Sequence, residues 1–343
     1  ADFLSGHLEL AEATGAVVSY GDVAMTDFPM DPLADGQRLS LGEVELEIRH
    51  TPGHTPESIS IVVYETPGAQ PTAVLTGDTL FIGDVGRPDL LASAGRSADS
   101  LARDLHRSLL DRLLTLPDDT LVYPAHGAGS ACGKHLSTAA SSTIGEQRTT
   151  NYALRPMTDD EFVDVVTEGQ GVAPLYFAFA SQANRRAHEL LDDHEPVPEI
   201  DVADAHDALL IDTRAPEVFA SGHLRGSVNV PLDSRFAEYA GDVARAGEPI
   251  AIVADPGRET EAKNRLARIG FDTVRGAILD VERVLGEHPE LASTASRLTA
   301  SDVAGWRDDE PRLQIVAVRN SGELQEGAIL GSINNPLPAL LEG

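Results

Sequence analysis

Short apolar runs separated by Gly-, Pro- and Asp-rich loops make up the chain to about residue 155. Four of these runs have the composition of strands and lie at 44–48, 59–64, 73–75 and 120–123. Turns join most of them instead of long helices, so we predict an antiparallel sandwich and not a doubly wound sheet. One helix is predicted at about 98–116, where apolar residues recur at intervals of three and four. It is expected to cover one face of the sheet.

A connecting segment follows this region. Thr158 and Glu161 have the spacing of a capping box and precede an apolar stripe, which predicts the start of a helix. A second helix is predicted over 173–191. The run 192–198 contains two prolines and three acidic residues, a composition typical of a boundary between structural units.

From residue 199 the pattern changes to alternating strands and helices. Strand-like runs alternate with helical patterns in the order 208–211, 215–221, 227–230, 232–240, 250–254 and 259–269. Such alternation predicts a parallel sheet with helical crossovers. A weaker copy begins near residue 298, where 315–319 resembles 210–214 and 327–336 resembles 222–231. The chain is therefore expected to contain part of a second copy of the same unit.

The length of 343 residues and the hydrophobic content of 42% favour two or more domains, because one core rarely grows beyond about 250–300 residues. We predict a metal-binding domain at 1–155, a helical connector at 156–196, an α/β domain at 197–293 and a partial copy of it at 294–343. No run approaches the roughly 18 apolar residues of a membrane helix, and the N-terminus has no basic and apolar signal segment. A cytoplasmic protein is expected.

Charge and cysteine content restrict the partners and the kind of site. The net charge of -29, from 55 acidic and 26 basic residues, argues against nucleic acid or an anionic membrane as a partner. The single cysteine, Cys132, excludes an internal disulfide framework and a thiolate-rich zinc cluster. Any metal must therefore be held by imidazole and carboxylate.

Three loops place such groups next to predicted strands. His54 lies in a Pro/Gly-flanked loop between two strands, whereas Asp78 and His126 each follow a strand directly. Strand ends on one edge of a sandwich converge, so these side chains could gather on one cation, with zinc or iron as the metals that suit them. The alternative is three unrelated loop residues that cap turns.

Four segments, 1–7, 51–58, 76–90 and 123–134, resemble the metallo-β-lactamase superfamily. Within it they resemble the persulfide dioxygenases that are fused to rhodanese domains. The resemblance implies an αββα sandwich followed by an α/β rhodanese-like domain and part of a second one. The superfamily's first motif is His-x-His-x-Asp-His, of which Ala1, Asp2 and Phe3 would be the tail. Both leading histidines would precede residue 1, and the chain is expected to be truncated at both ends.

The resemblance also implies roles for particular residues. His54 and Asp78 would be metal ligands for one Fe(II) per chain, with zinc as the alternative. Phe3 stands where two-metal hydrolases have a second histidine, which favours a single metal. His126 matches a histidine of that second site and would form part of the active-site wall. Asp2 would orient a ligand or a water molecule.

Two further residues lie close to these motifs. Arg87 follows the aspartate motif and could bind an anionic sulfur substrate through a bidentate fork. Its alternative role is a structural salt bridge with Asp84 or Asp89. Cys132 lies six residues after His126 in a Gly-rich loop and is either an inert thiol or a carrier of sulfur.

The α/β domain resembles rhodanese but lacks the residue that would react. In active rhodaneses the strand that corresponds to 250–253 runs into a loop that opens with a nucleophilic cysteine, and here that loop begins with Ala254 and Asp255. This domain therefore cannot form the usual persulfide.

From these features we predict an iron-dependent dioxygenase that uses O2 to oxidise the outer sulfur of a small thiol persulfide, such as glutathione persulfide, to sulfite. One alternative is a zinc-dependent thioester hydrolase of the glyoxalase II kind. Another is a non-catalytic sulfur-relay or binding protein. The sequence leaves open the thiol carrier and the oligomeric state, including a homo-oligomer.

Overall fold

The computed structural model describes residues 3–90, 97–134, 136–310, 312–320, 323–324 and 327–342. These residues divide into two compact units. The first contains residues 6–173 together with 184–187, and the second contains residues 3–5, 174–183 and 188–343.

The first unit is built on a six-stranded sheet with the strand order β3-β4-β5-β6-β7-β8. Its elements are α1 (His7–Thr14), β1 (Ser19–Gly21), β2 (Asp31–Leu33), β3 (Arg38–Leu41), β4 (Val44–His50), β5 (Ile59–Tyr64), β6 (Ala73–Gly77), α2 (Ala98–Ser108), β7 (Leu121–Pro124), β8 (Ser142–Thr143), α3 (Ile144–Thr150) and α4 (Asp159–Thr167). Most neighbours in the sheet are antiparallel, as predicted, but β6 and β7 are parallel. The crossover between those two strands contains α2, which explains the exception.

Helix α2 and the turn that follows it cover one face of this sheet. The helix begins at Ser97, whose side chain accepts a hydrogen bond from Ser100 N, and it continues as a π-helical turn over Leu109–Leu113. The prediction of a helix to about residue 116 was therefore slightly too long. The core between helix and sheet is made of fully buried aliphatic and aromatic side chains, among them Val62, Val74, Leu105, Leu109, Val122 and Phe162.

The predicted long helix over 173–191 is wrong. Only α5 (Phe177–Ala183) is helical there. Beyond it the backbone oxygens of Asn184 and Arg185 accept hydrogen bonds from Tyr20 Oη at 3.0 Å and from Asp27 N at 3.0 Å. These tertiary bonds take the carbonyls that a continued helix would use, so the local helical preference is overridden.

The second unit contains the predicted parallel sheet, with strand order β11-β9-β12-β13. After α5, its elements are β9 (Leu209–Asp212), α6 (Pro216–Ser221), β10 (His223–Leu224), β11 (Val228–Asn229), α7 (Phe236–Val243), β12 (Ile250–Val253), α8 (Glu259–Ala267), β13 (Val274–Ile278), α9 (Val281–Glu287), β14 (Ala292–Ser293), α10 (Ala300–Asp309), β15 (Val316–Ala317), β16 (Ile333–Asn334) and α11 (Leu337–Glu342). All residues of β12 are buried, as expected for a central parallel strand.

The internal repeat predicted from the sequence is visible in the hydrogen bonds. Asn229 donates from Nδ2 to the carbonyl oxygens of Asp212 and Arg214, at 2.9 and 3.0 Å. Asn334 makes the same pair of bonds in the copy, to Ala317 O at 3.0 Å and Arg319 O at 2.8 Å. Strands β15 and β16 are paired in parallel, as β9 and β11 are.

Among the described residues, no helix combines the length and the apolar character required to cross a bilayer.

Two helical glycines of the second unit provide a matched test of its packing. A Cβ at Gly241 in α7 would lie 2.3 Å from Tyr176 Cδ1, and that ring is buried. At Gly286 in α9 no described atom lies within 4 Å of the added Cβ. We expect Gly241→Ala to lower the free energy of unfolding by about 1–3 kcal/mol through overpacking. Gly286→Ala should raise it by about 0.5–1 kcal/mol through helix propensity.

Urea unfolding of the two variants, monitored by circular dichroism, measures both changes. Equal effects from the two substitutions would contradict the packing of Tyr176 against α7.

Candidate metal centre

The candidate ligands lie on three loops at one edge of the six-stranded sheet. His54 lies in the loop between β4 and β5, Asp78 directly follows β6, and His126 follows β7. Strands β6 and β7 are parallel neighbours, with Gly77 opposite Pro124, so their carboxyl ends meet. The sheet thus brings together residues that are far apart in sequence.

Asp78 is the centre of this group. Its Oδ2 lies 3.0 Å from His54 Nε2, and its Oδ1 lies 3.3 Å from His126 Nε2. Burial raises the pKa of Asp78, but the two imidazoles outweigh that effect and hold the pKa well below its usual range. Asp78 is therefore an ionised carboxylate with oxygens directed at both rings.

The orientation of His54 is set by a backbone carbonyl. His54 Nδ1 lies 2.9 Å from the oxygen of Arg87, and because a carbonyl only accepts, Nδ1 carries the proton. The other nitrogen, Nε2, is buried and has no hydrogen-bond partner of acceptable geometry among the described residues, despite its closeness to Asp78. A buried imidazole nitrogen that lies beside a carboxylate and lacks a hydrogen-bond partner fits a site for a metal cation.

Cys132 adds a sulfur atom to this group. Ligand atoms of His54, Asp78 and Cys132 all lie within 4.8 Å of one another, and the thiol is fully buried. Sequence considerations placed Cys132 near the metal loop, and the structure brings it beside the predicted ligands.

Close backbone approach at Gly86 is a feature that the sequence did not reveal. A Cβ there would lie 1.9 Å from the carbonyl oxygen of Asp78 and 3.1 Å from His54 Nδ1. The segment that carries Arg87 can therefore reach His54 only if residue 86 has no side chain. The signal that the sequence did offer for this close approach was the pair formed by Gly86 and Arg87.

Buried hydroxyls connect the histidine and aspartate loops. Thr51 Oγ1 lies 3.0 Å from Ser60 Oγ and accepts a hydrogen bond of 3.0 Å from Thr79 Oγ1. All three side chains are fully buried. Thr51 begins the His54 loop and Thr79 follows Asp78, so this network limits how far the two ligands can move apart. The sequence did not reveal the role of these three hydroxyls either.

The geometry of Arg87 does not support the predicted role in anion binding. Its guanidinium forms a fork with Asp89, with Nε to Oδ1 at 2.6 Å and Nη2 to Oδ2 at 2.8 Å. It also donates to Ala131 O at 3.2 Å and Gly171 O at 2.7 Å, and the residue is 2% exposed. The donors of the Arg87 guanidinium are thus bonded to oxygens of the protein itself. This agrees with the alternative interpretation, a structural salt bridge with Asp89.

Two further candidates, Asp2 and Phe3, lie at the N-terminus. Asp2 lies outside the described residues. Phe3 is 48% exposed and belongs with Leu4 to the second unit, where Leu4 N donates to Arg268 O at 2.6 Å. The roles predicted for Asp2 and Phe3 stay predictions.

The loop after β12 has lost its thiol and also carries a carboxylate. Ala254 is buried at the position of the expected nucleophile. The amide of Gly257 donates to Glu259 Oε2 at 2.7 Å. In an anion-binding loop such an amide would face the bound anion, and here the protein's own carboxylate occupies it.

Comparisons with known proteins match this architecture. Residues 5–126 match the family described as the metallo-beta-lactamase superfamily, and residues 199–277 match the rhodanese-like domain. A crystal structure of a metallo-beta-lactamase from Staphylococcus aureus subsp. aureus COL has a TM-score of 0.75 and 30% sequence identity to this chain. The matched region covers 81% of this chain and 82% of the chain in that crystal structure. The predicted fold class is confirmed.

The names of two curated relatives state different activities. Human mitochondrial persulfide dioxygenase ETHE1 is 33% identical over 154 residues, which are 45% of this chain and 52% of that protein. The probable metallo-hydrolase YqgX of Bacillus subtilis is 38% identical over 106 residues, which are 31% of this chain and 44% of that protein. The chain thus spans about half the length of these curated relatives.

We expect Gly86→Ala to weaken metal binding by about tenfold to a hundredfold, the range for losing a group that orients a ligand. The added methyl group would separate Arg87 O from His54 Nδ1 and release the imidazole. Gly127→Ala is the matched control, because its Cβ would meet only Ser137 O, at 3.5 Å. Competition with a chromophoric chelator for Zn²⁺ measures both affinities. Unchanged affinity in folded Gly86→Ala would contradict the proposed orientation of His54.

We expect no thiosulfate sulfurtransferase activity from the loop after β12, since the methyl group of Ala254 cannot attack sulfur. Ala254→Cys should also be almost inactive, because Glu259 keeps a negative charge on the loop amide. Ala254→Cys combined with Glu259→Gln should be at least about tenfold more active than Ala254→Cys alone, the change for one charged hydrogen bond. Thiocyanate formation from thiosulfate and cyanide measures all three.

Glu261→Gln, combined with Ala254→Cys, is the control for that double variant, because Glu261 bonds to Arg258 and not to the loop amide. Equal activity of the two double variants would show that Glu259 does not block the loop.

Proposed function

The chain belongs to the metallo-β-lactamase superfamily and carries a rhodanese-like domain, and on this basis we propose that it is an iron-dependent persulfide dioxygenase. Its substrate would be a low-molecular-weight thiol persulfide, such as glutathione persulfide, and its products sulfite and the thiol. One O2 and one water supply the three oxygens of sulfite, and the carbon-bound sulfur leaves as the thiol. The similarity to the human persulfide dioxygenase supports this choice of reaction.

The observation that carries the proposal is the buried Nε2 of His54, which lies beside the Asp78 carboxylate and has no hydrogen-bond partner of acceptable geometry among the described residues. The fold implies a metal, and His54 and Asp78 would hold it. Imidazole and carboxylate ligands with open positions are the set used by non-haem Fe(II) enzymes that react with O2. Bound there, Fe(II) would supply the electron transfer that lets O2 react with a persulfide sulfur.

The other residues would shape the site around the substrate. His126 contacts Asp78 and lies 6.0 Å from the ring of Phe81, measured between centroids, so it would form part of the wall. Cys132 is close enough to the ligands to accept or present a sulfur atom, and an inert packing role is the alternative. Arg87 would act through its backbone carbonyl by orienting His54.

A zinc-dependent hydrolase is the second candidate, favoured by the similarity to the probable metallo-hydrolase of Bacillus subtilis. In that enzyme class a metal-bound hydroxide is the nucleophile. The substrate would then be a thioester, and no O2 would be consumed. The two functions differ in metal, substrate and gas uptake, so one set of assays separates them.

We expect the full-length protein to bind one iron per chain and to consume O2 with formation of sulfite when glutathione persulfide is added. Asp78→Asn and His54→Ala should each lower iron content and reduce O2 uptake by more than about a hundredfold, because a lost ligand costs more than a lost orienting group. His50→Ala is the control, since that ring bonds to Leu33 O and lies outside the ligand group.

An oxygen electrode, a sulfite assay and metal analysis provide the measurements. Two zinc ions per chain together with thioester hydrolysis would favour the hydrolase. Iron binding without O2 uptake for every persulfide tested would contradict the dioxygenase.

A further inference from the structure

A buried carboxylate, Asp84, holds one side of the Cys132 loop. Asp84 is fully buried, and its Oδ2 accepts a hydrogen bond of 2.6 Å from Lys134 N. Its Oδ1 accepts from Val85 N at 2.8 Å and from Tyr152 Oη at 2.7 Å. Burial and the adjacent carboxylate raise the pKa of Tyr152, so its hydroxyl remains protonated and donates to Asp84. Both carboxylate oxygens are therefore used as acceptors.

Arg87 holds the other side of the same loop. Its backbone amide donates to Cys132 O at 2.9 Å, and its Nη1 donates to Ala131 O at 3.2 Å. Together with the bond from Lys134 N to Asp84, these contacts fix the backbone before, at and after the cysteine. The loop is thus restrained at three points around the thiol, at residues 131, 132 and 134.

Lys134 ties the end of this loop to α4. Its Nζ donates to Val165 O at 2.6 Å and to Glu168 O at 2.7 Å, at the carboxyl end of the helix. A cation at this end is favourable because of the helix dipole. The side chain of Lys134 therefore reinforces the position that Asp84 imposes on its backbone.

The restrained loop puts the thiol where the candidate metal ligands converge. Cys132 is fully buried, and its sulfur lies within 4.8 Å of ligand atoms of His54 and Asp78. The buried Nε2 of His54, without a hydrogen-bond partner among the described residues, is directed into the same space.

We propose that Asp84 is a positioning residue that keeps the Cys132 thiol beside the metal ligands and closed to solvent. The inference rests on the proposed function only in giving that thiol a use, as a group that could accept or present the substrate sulfur. The chemical requirement is a carboxylate, since Lys134 N approaches one oxygen while Val85 N and Tyr152 Oη approach the other.

Asparagine cannot replace Asp84 in this position. It offers one acceptor oxygen and one donor group, so its amide NH2 would face either the N–H of Lys134 or the donors of Val85 and Tyr152. In either orientation two donors oppose each other in a buried site, which is unfavourable. The weaker attachment would let the loop open and expose the sulfur.

Alkylation of Cys132 by iodoacetamide, followed by mass spectrometry of its peptide, tests this role. We expect Asp84→Asn to react about tenfold faster or more than the native protein, the factor expected when one charge-assisted hydrogen bond is lost. Tyr152→Phe should have a smaller effect, because the bond to Lys134 N remains. Asp159→Asn is the control, since that carboxylate bonds to His106 Nδ1 at 2.7 Å and not to the cysteine loop.

Gly133→Ala tests the same contact from the opposite side. Its Cβ would lie 2.9 Å from Asp84 Oδ2 and 2.7 Å from Leu136 Cδ2, so the loop must move away from the carboxylate. Faster alkylation of Cys132 in this variant supports the proposal, and this variant decides the question if Asp84→Asn does not fold. Alkylation at the native rate in the folded variants would overturn it.

The alkylation assay contains neither persulfide nor O2. Its outcome is therefore independent of the O2-uptake and sulfite assays of the proposed function. Slow O2 uptake with a released Cys132 loop in Asp84→Asn would support both ideas. Absence of O2 uptake in the native protein with faster alkylation in the variant would remove the dioxygenase and keep the positioning role.

Discussion

The hydrogen bond from His54 Nδ1 to the carbonyl of Arg87 is the contact on which the candidate centre depends. It fixes the protonated nitrogen of the imidazole and leaves the other nitrogen facing Asp78. The carbonyl is itself immobile, because the guanidinium of Arg87 is forked onto Asp89 and its amide donates to Cys132 O. A single residue thereby connects the histidine, the aspartate loop and the cysteine loop. Its charge serves this connection and is not directed at a ligand.

The convergence of His54, Asp78 and His126 could be predicted because each follows or joins strands of one sheet, and sheet geometry brings such loops together. The roles of Asp84 and Gly86 could not be predicted. Asp84 acts on Lys134, fifty positions away, and Gly86 is required by one carbonyl of another loop. Neither contact produces a periodic or compositional signal in the sequence. Both contacts depend on how the folded loops pack against each other.

Secondary structure was likewise predictable where the signals are local, and it was mispredicted where distant residues decide it. Capping boxes and apolar periodicity predicted the start of α4 at Thr158, because those signals are local. The end of α5 was mispredicted because Tyr20 and Asp27, more than 150 positions away, bind carbonyls just beyond it. The parallel sheet of the second unit was predicted correctly from alternation alone, since strands joined by helical crossovers admit few arrangements.

The paired hydrogen bonds of Asn229 connect β11 to β9, and Asn334 repeats them in the copy. None of these bonds involves the loop after β12. The architecture and the reactive group of the rhodanese-like domain are thus physically separable. Replacement of the reactive thiol by Ala254 removes no strand pairing, so the unit can lose its chemistry while it keeps its shape. In evolutionary terms, a duplicated module of this kind is free to diverge in its loop while its strands remain paired.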